Sequence, residues 1–441
     1  MSFLRVTHGD MQVGTLRLNR SGVMDFEYFD SYLESGDPAI SASLPITHKL
    51  HEGAIVERFF GNLLPEGEIR EELSLRHRID NNDDFGLLNK IGGDCAGALS
   101  LLPEETPESA SNAQTFDELY VPFEDEYAFG QYIENVKGAA GAPYMGKVTR
   151  MSLAGVQRKT VIARFGGSTL YRCTGGASTH IVKIGSRLDQ RGHEFFPGIV
   201  YNEYFCMKLA KAIKLPVAEV ELLPYQTYRG ADPLYVFATE RFDRAVDTRS
   251  RKVIRLHQED FCQALGRPRI HKYEANGGIS LAEMFNFLSL RREITFPAIS
   301  RGRFLEAVLF NLMVGNRDSH AKNYSLLRTG QRADLQPLYD VVCTEIYENV
   351  DQILPQRIGI AQRVEDIRYI DFANLAAQID VKPVVITRSI NKVAGALERK
   401  IPSLISDIQG ESFATDLQPV AEKISGTIRR NIEHIRRIIP R

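Results

Sequence analysis

The spacing of apolar residues changes period part-way along this chain, and that change limits the folds open to it. Between about 147 and 250 short alternating runs recur, among them Val161-Ile162-Ala163, Ser178 to Lys183 and Leu234 to Arg241, punctuated as strands are. One helical stretch interrupts them, Asn202 to Leu215, with Tyr204, Phe205, Leu209 and Ile213 near one face. From about 255 onward helical spacing dominates, in Glu259 to Leu265, Leu281 to Leu288, Arg303 to Val314 and several stretches beyond Asp366. The exception is Asn323 to Asp340, where Tyr324 to Leu327 and Leu335 to Leu338 flank Thr329-Gly330-Gln331, a hairpin signal. A sheet-rich half followed by a helix-rich half predicts an α+β fold with two lobes.

At 441 residues the chain is too long for one compact core. Residues 1–105 read as a small mixed N-terminal domain. Val6 to Leu18 has turn signals between short alternating runs, Ala54 to Pro65 has helical spacing stopped by proline, and Gly92 to Gly97 is a turn feeding a strand that ends at Pro103. At this spacing Phe59 and Phe60 belong to a core. Residues 106–146 are polar or glycine-rich around a short helix, Glu124 to Val136, and read as a linker. The sheet-rich lobe is then 147–250 and the helical lobe 251–441.

Hydrophobic content of 43% and charged content of 25% are those of a soluble globular protein. The net charge of −2 gives no overall field toward nucleic acid, so DNA contact would be local or carried by a partner. Five scattered cysteines without metal-ligand spacing predict reduced core thiols. With no signal peptide after Met1 and no apolar run of membrane length, a cytoplasmic protein with no membrane contact is expected. Ile424 to Ile439 places Ile428, Ile432, Ile435 and Ile438 at helical spacing and predicts a docked terminal helix with a solvated basic face, preferred here to nucleic-acid binding.

The helical lobe carries Asn316-Arg317-Asp318-Ser319-His320-Ala321-Lys322-Asn323, and Leu338-Tyr339-Asp340 follows the hairpin. These are the groups that phosphoryl transfer needs. Asp318 can accept the proton of an attacking hydroxyl, while Asn323 and Asp340 offer oxygens to Mg²⁺ against the phosphates. Alone the Asp–Asn pair is a signal that chance supplies, and its weight comes from what precedes it. Lys183 ends a strand ahead of Glu203 in the helical stretch, an order that suits an ammonium on phosphates steadied by a helix carboxylate. Glu240-Arg241-Phe242 closes the last strand, where hinge backbone would meet adenine; an ion pair of Glu240 with Arg241 or Arg244 is the equal alternative.

No G-x-G-x-x-G loop is present. Ala154-Gly155-Val156-Gln157-Arg158-Lys159 is the stretch whose amides and Lys159 could meet phosphates, with an ordinary turn as the alternative. Ser152 adjoins it, and phosphorylation there would set about two negative charges beside the nucleotide. His320 could contact a phosphate oxygen and Lys322 could offset charge, or both could simply line the loop.

With these residues in order, the chain resembles the HipA family of bacterial toxin kinases over nearly its whole length. The resemblance is carried by Phe59-Phe60-Gly-Asn-Leu-Leu-Pro65, Gly93-Asp-Cys-Ala-Gly-Ala98, Ser152 to Thr160, His180 to Lys183, Asn202-Glu-Tyr204, Glu240 to Arg244, Gln258 to Gln263, Asp318 to Asn323 and Leu338-Tyr-Asp340. It implies a serine/threonine-protein kinase fold behind a small N-terminal domain, with Asp318 as catalytic base and Mg²⁺ on Asn323 and Asp340. It implies ATP contacts at Ala154, Gly155, Val156, Gln157, Arg158, Lys159, Lys183, Glu240, Arg241, Phe242, His320, Ala321, Lys322, Asn323, Tyr339 and Asp340. It further implies autophosphorylation of Ser152 that ejects the loop and switches the enzyme off. The partners implied are a small helix-turn-helix antitoxin, operator DNA through that complex, and a protein substrate, glutamyl-tRNA synthetase being the family's characterised target. Val156 and Arg158 depart from the smaller and acidic residues of the best-known member. Two other readings stay open at this stage: an operator-bound corepressor with a weak site, and a small-molecule or lipid kinase, because Asp-x-His-x-x-Asn loops also resemble those of phosphoinositide kinases.

Overall fold

The computed structural model describes residues 2–105, 114–138, 158–185, 194, 196–290, 294–329, 332–348 and 350–440. The N-terminal unit is a five-stranded antiparallel sheet in the order Leu50–Glu52, Met24–Tyr28, Met11–Leu18, Phe3–His8, Leu99–Pro103. The helices Ala54–Gly61 and Asp84–Ile91 bury Phe59, Phe60 and Phe85 in one core with Leu16 and Phe26 of that sheet. Phe59 and Phe60 are core residues, as their spacing predicts.

The sheet-rich lobe is built on six antiparallel strands in the order Val220–Tyr225, Leu234–Glu240, His180–Lys183, Lys159–Ala163, Tyr171–Cys173, Tyr120–Pro122. Of residues 114–138, the short helix expected at Glu124 to Val136 is present, but the segment packs on this lobe instead of only connecting to it. Tyr120–Pro122 is the edge strand, and the helix Glu126–Gly138 buries Phe129, Tyr132, Ile133 and Val136 against Ile162, Val182 and Val236. Their apolar residues come at helical spacing but are few, so composition alone reads as a connection.

The opposite face of this sheet carries the helix Ile199–Ala212, which begins and ends three residues earlier than the sequence suggests. It is also less amphipathic than expected. Asn202 through Met207 are all buried, because the helix lies between the sheet and the long helices of the other lobe, where Tyr204 meets Phe413 with ring centroids 5.4 Å apart.

In the helical lobe, Ser300–Val314 runs through the core among Leu281–Leu290, Tyr369–Gln378, Pro383–Ile408 and Ala414–Ile438. The predicted hairpin is present as Ser325–Thr329 and Arg332–Leu335. It gains a third strand, Gln258–Asp260, where helical spacing pointed to a helix from Glu259. The helix starts only at Phe261, because Asp260 caps it by accepting from Gln263 N at 2.8 Å. The terminal helix docks through Ile428, Ile432 and Ile435 and begins earlier than expected, at Ala414. All five cysteines are buried. Among the described residues, no helix is long and apolar enough to cross a membrane.

The N-terminal unit is joined to the lobes by buried polar contacts. Asp94 lies among Arg241, Arg244 and Arg255; burial would raise its pKa, but the three guanidiniums hold it well below the usual carboxylate range. Gly97 gives its N–H to Asp243 at 2.8 Å, with φ of +75° and the Gln258 backbone 3.0 Å from where a Cβ would sit, so only glycine fits. Glu259 receives Ser41 Oγ at 2.6 Å.

Candidate active site

Lys159, Lys183 and Phe237 are register partners on neighbouring strands, so their side chains share the sheet face on which the helix Ile199–Ala212 lies. Glu203 of that helix takes Lys183 Nζ on both oxygens, at 2.7 and 2.9 Å. The same ammonium reaches Asp340 Oδ1. Burial alone would lower the Lys183 pKa; Asp340 and Glu203 outweigh it and raise it above the ordinary lysine value. Asp340 is held down at about 2, its burial overcome chiefly by Lys183. Glu203, the more enclosed carboxylate, is pushed up by burial. Lys159 lies beside this group, and burial next to Lys183 lowers it to about 8.

Asp340 is fixed from both sides. On one, Leu338 exchanges backbone hydrogen bonds with the connection after the helix, giving its N–H to Pro216 O and accepting from Ala218 N, each at 2.9 Å. On the other, Cys343 exchanges two with the Asn202 amide. Asp340 itself has φ of +58°, a conformation that non-glycine residues adopt at a cost and that recurs where a side chain must be aimed.

Asp318 follows the helix Ser300–Val314. Asn316 links the two, giving Nδ2 to Asn311 Oδ1 at 2.9 Å and accepting Asp318 N on Oδ1 at 3.0 Å. Asn323 gives its amide N–H to the Asp318 carbonyl at 2.8 Å, which turns Oδ1 the other way, free to act as a ligand. Burial within the cleft, opposed by a hydrogen bond from Tyr273 and aided by the charge of Asp340, pushes Asp318 up to about 6, although its side chain stays 53% exposed. His320 stands 4.0 Å from Asp318 and is kept neutral by burial.

These groups line one cleft between the lobes, of about 850 Å³, that also takes in Glu240, Phe242 and Tyr339. The Phe242 and Tyr339 rings lie 5.4 Å apart, and the Tyr339 hydroxyl donates to Lys322 O at 2.8 Å. Ala154, Gly155, Val156, Gln157 and Ser152 fall outside the described residues. Arg158 lines the cleft but gives its guanidinium to the Lys137 carbonyl, near the end of the helix Glu126–Gly138.

Two expected contacts take a different form. Arg241 is buried with its guanidinium on Asp243 and Ser178, at 2.8 and 2.9 Å, rather than paired with Glu240. Its backbone N–H goes to Thr179 O at 2.9 Å. Lys322 points its ammonium at the N-terminal unit, with Asn62 Oδ1 at 2.8 Å, Asn62 O at 3.0 Å and Asp260 at 3.0 Å. Asn62, Glu66 and Tyr273 therefore belong to the cleft, although their spacing from Asp318 along the chain carries no signal of it. The Gly61-Asn62-Leu63-Leu64-Pro65 motif pointed to Asn62, but only as a mark of the first domain.

Known proteins share this construction. The model of the HipA-like C-terminal domain matches residues 151–401 and that of the HipA N-terminal domain matches residues 4–102. A putative kinase, Y4mE of Sinorhizobium fredii, is 33% identical over 399 residues, covering 90% of each chain. The serine/threonine-protein kinase toxin HipA of Shewanella oneidensis is 28% identical over 411 residues, covering 91% of this chain and 88% of that one. The solved complex of Shewanella oneidensis HipA with HipB and operator DNA superposes with a TM-score of 0.76 at 26% identity, covering 99% of this chain and 100% of that one. The chain belongs to the HipA family of serine/threonine-protein kinases.

Proposed function

We propose that this kinase is the toxin of a type II toxin–antitoxin pair and transfers the γ-phosphate of ATP to a serine or threonine of a protein. The observation that carries this reading is the Lys183 ammonium bridging Glu203 and Asp340 across the cleft from Asp318 and Asn323. Lys183, with Lys159 beside it, meets the phosphates. Adenine lies by the Glu240–Phe242 segment, near the ring of Tyr339. Asp318 takes the proton of the acceptor hydroxyl as the hydroxyl oxygen attacks the γ-phosphorus and the bond to the ADP oxygen breaks.

Asn323 and Asp340 fit Mg²⁺, since they are two hard oxygen donors that leave the remaining positions to phosphates and water. Bound there, the ion neutralises charge that builds on the phosphates.

The finer features rest on the family resemblance: a HipB-like helix-turn-helix antitoxin, operator DNA through that complex, glutamyl-tRNA synthetase as the protein substrate, and autophosphorylation of Ser152. Tryptic mass analysis after incubation with Mg-ATP tests the last of these. The reading expects one phosphate on the peptide containing Ser152 in the parent and none in Asp318→Ala; phosphate at another residue, or none in the parent, rules out self-regulation through Ser152.

A further inference from the structure

We infer that Tyr273 is a positioning residue for Asp318: its phenol fixes Oδ1 of the carboxylate and leaves Oδ2 to meet the acceptor hydroxyl. The inference rests on the reading of Asp318 as the base. The Tyr273 hydroxyl donates to Asp318 Oδ1, and the same oxygen is the one 4.0 Å from His320 Nε2. Both neighbours thus gather on one side of the carboxylate, and among the described residues Oδ2 has no hydrogen-bond partner. An Asp with one oxygen tied has its torsion set, so the other oxygen points in one direction at the moment of proton transfer.

The alternative is a plug that occupies the acceptor position and must leave at each turnover. The anchoring of Tyr273 argues against it. Lys272, one residue earlier, bonds Glu66 of the N-terminal unit at 2.7 Å, and its carbonyl accepts from Gln356 Nε2 at 3.1 Å. On the other side Glu274 N donates to Pro355 O at 2.9 Å. The turn closes through Gly278 N to Tyr273 O at 3.2 Å, where a Cβ would fall 2.1 Å from His271 O. The Tyr273 ring meets His320 edge-on, with centroids 5.0 Å apart. A residue held on both flanks and by its ring is built to stay. Burial and the charge of Asp318 also keep the phenol protonated, so it has a proton to give the carboxylate.

The test is the initial rate of labelled γ-phosphate transfer from Mg-ATP to protein of a host extract, measured over a range of ATP concentrations with the full chain before self-phosphorylation accumulates, comparing the parent, Tyr273→Phe and Asp318→Ala. Phe keeps the ring against His320 and removes only the hydroxyl. The inference expects Tyr273→Phe to lower kcat about tenfold with KM for ATP unchanged, since the ground-state nucleotide contacts stay intact. An unchanged kcat overturns it, and a raised kcat identifies a plug instead. Activity that survives in Asp318→Ala, or is absent from the parent, strikes the base reading itself, whatever Tyr273→Phe does.

Discussion

Asn202 and Cys343 form a closed pair of hydrogen bonds, the Asn202 amide giving Nδ2 to Cys343 O at 3.0 Å and taking Cys343 N on Oδ1 at 2.8 Å. Asn202 precedes Glu203, and Cys343 lies three residues after Asp340. The carboxylate that steadies Lys183 and the one that takes its ammonium are thereby fixed to each other through backbone. Asn202→Ala removes both bonds inside the core, together with those to the Tyr347 hydroxyl and from Cys206 Sγ, and takes the amide partner from the Cys343 N–H and C=O. The expected cost is about 2–4 kcal/mol in a denaturant melt, with nucleotide affinity falling in the folded fraction.

Lys183→Met keeps the length of the side chain and removes the ammonium, leaving Glu203 and Asp340 facing each other with only the neighbouring Lys159 as counter-charge. Phosphate transfer should fall by about 100-fold or more. Glu203→Gln should be milder, because Asp340 still holds the ammonium. Single-turnover rates with Mg-ATP measure both.

Asn62→Ala tests whether the N-terminal unit steadies the catalytic loop. Lys322 would lose its 2.8 Å contact with Asn62 Oδ1, keeping Asp260 and the main-chain carbonyl of residue 62. Removing the buried amide should cost about 1–2 kcal/mol of stability and lower kcat more than KM for ATP. A variant with parental kcat separates the two domains functionally.

His180 and His257 are buried, and burial lowers each to about 4 from an ordinary 6.5. The unfolded chain therefore binds more protons between those values, and stability falls as pH drops from 6.5 toward 4. Each histidine contributes up to about 3 kcal/mol that is fully present above pH 6.5. Denaturant melts at pH 7.5 and pH 5 should show the loss, and His257→Gln should flatten part of it. Its Nε2 bond to Ile40 O, at 2.5 Å, is one that Gln can keep.

Much of this was legible in the sequence because the residues involved are local. The strand ending at Lys183, the helix bearing Glu203 and the hairpin between Asn323 and Asp340 are each written in their own periodicity. What was not legible depends on contacts between distant segments. Arg241 reads as a partner for Glu240 until Asp94, some 147 positions earlier, is seen to hold its guanidinium together with Asp243. Lys322 reads as a charge beside the transferring phosphate, or as lining of the loop, until Asn62 is seen to take its ammonium. Tyr273 sits in a stretch with no periodicity, and only the fold brings its hydroxyl to Asp318. Helical spacing also misjudged Gln258–Asp260, where pairing with Ser325–Thr329 overrides local preference.

The central claim is that this cleft moves phosphate from ATP to protein through Asp318. Transfer of γ-labelled phosphate from Mg-ATP to protein in an extract of the host, run with the parent and with Asp318→Asn, tests it most directly. The account predicts labelled protein in the parent reaction and none with Asp318→Asn, which should still bind Mg-ATP because Lys183, Asn323 and Asp340 remain. Equal labelling by the two would contradict it.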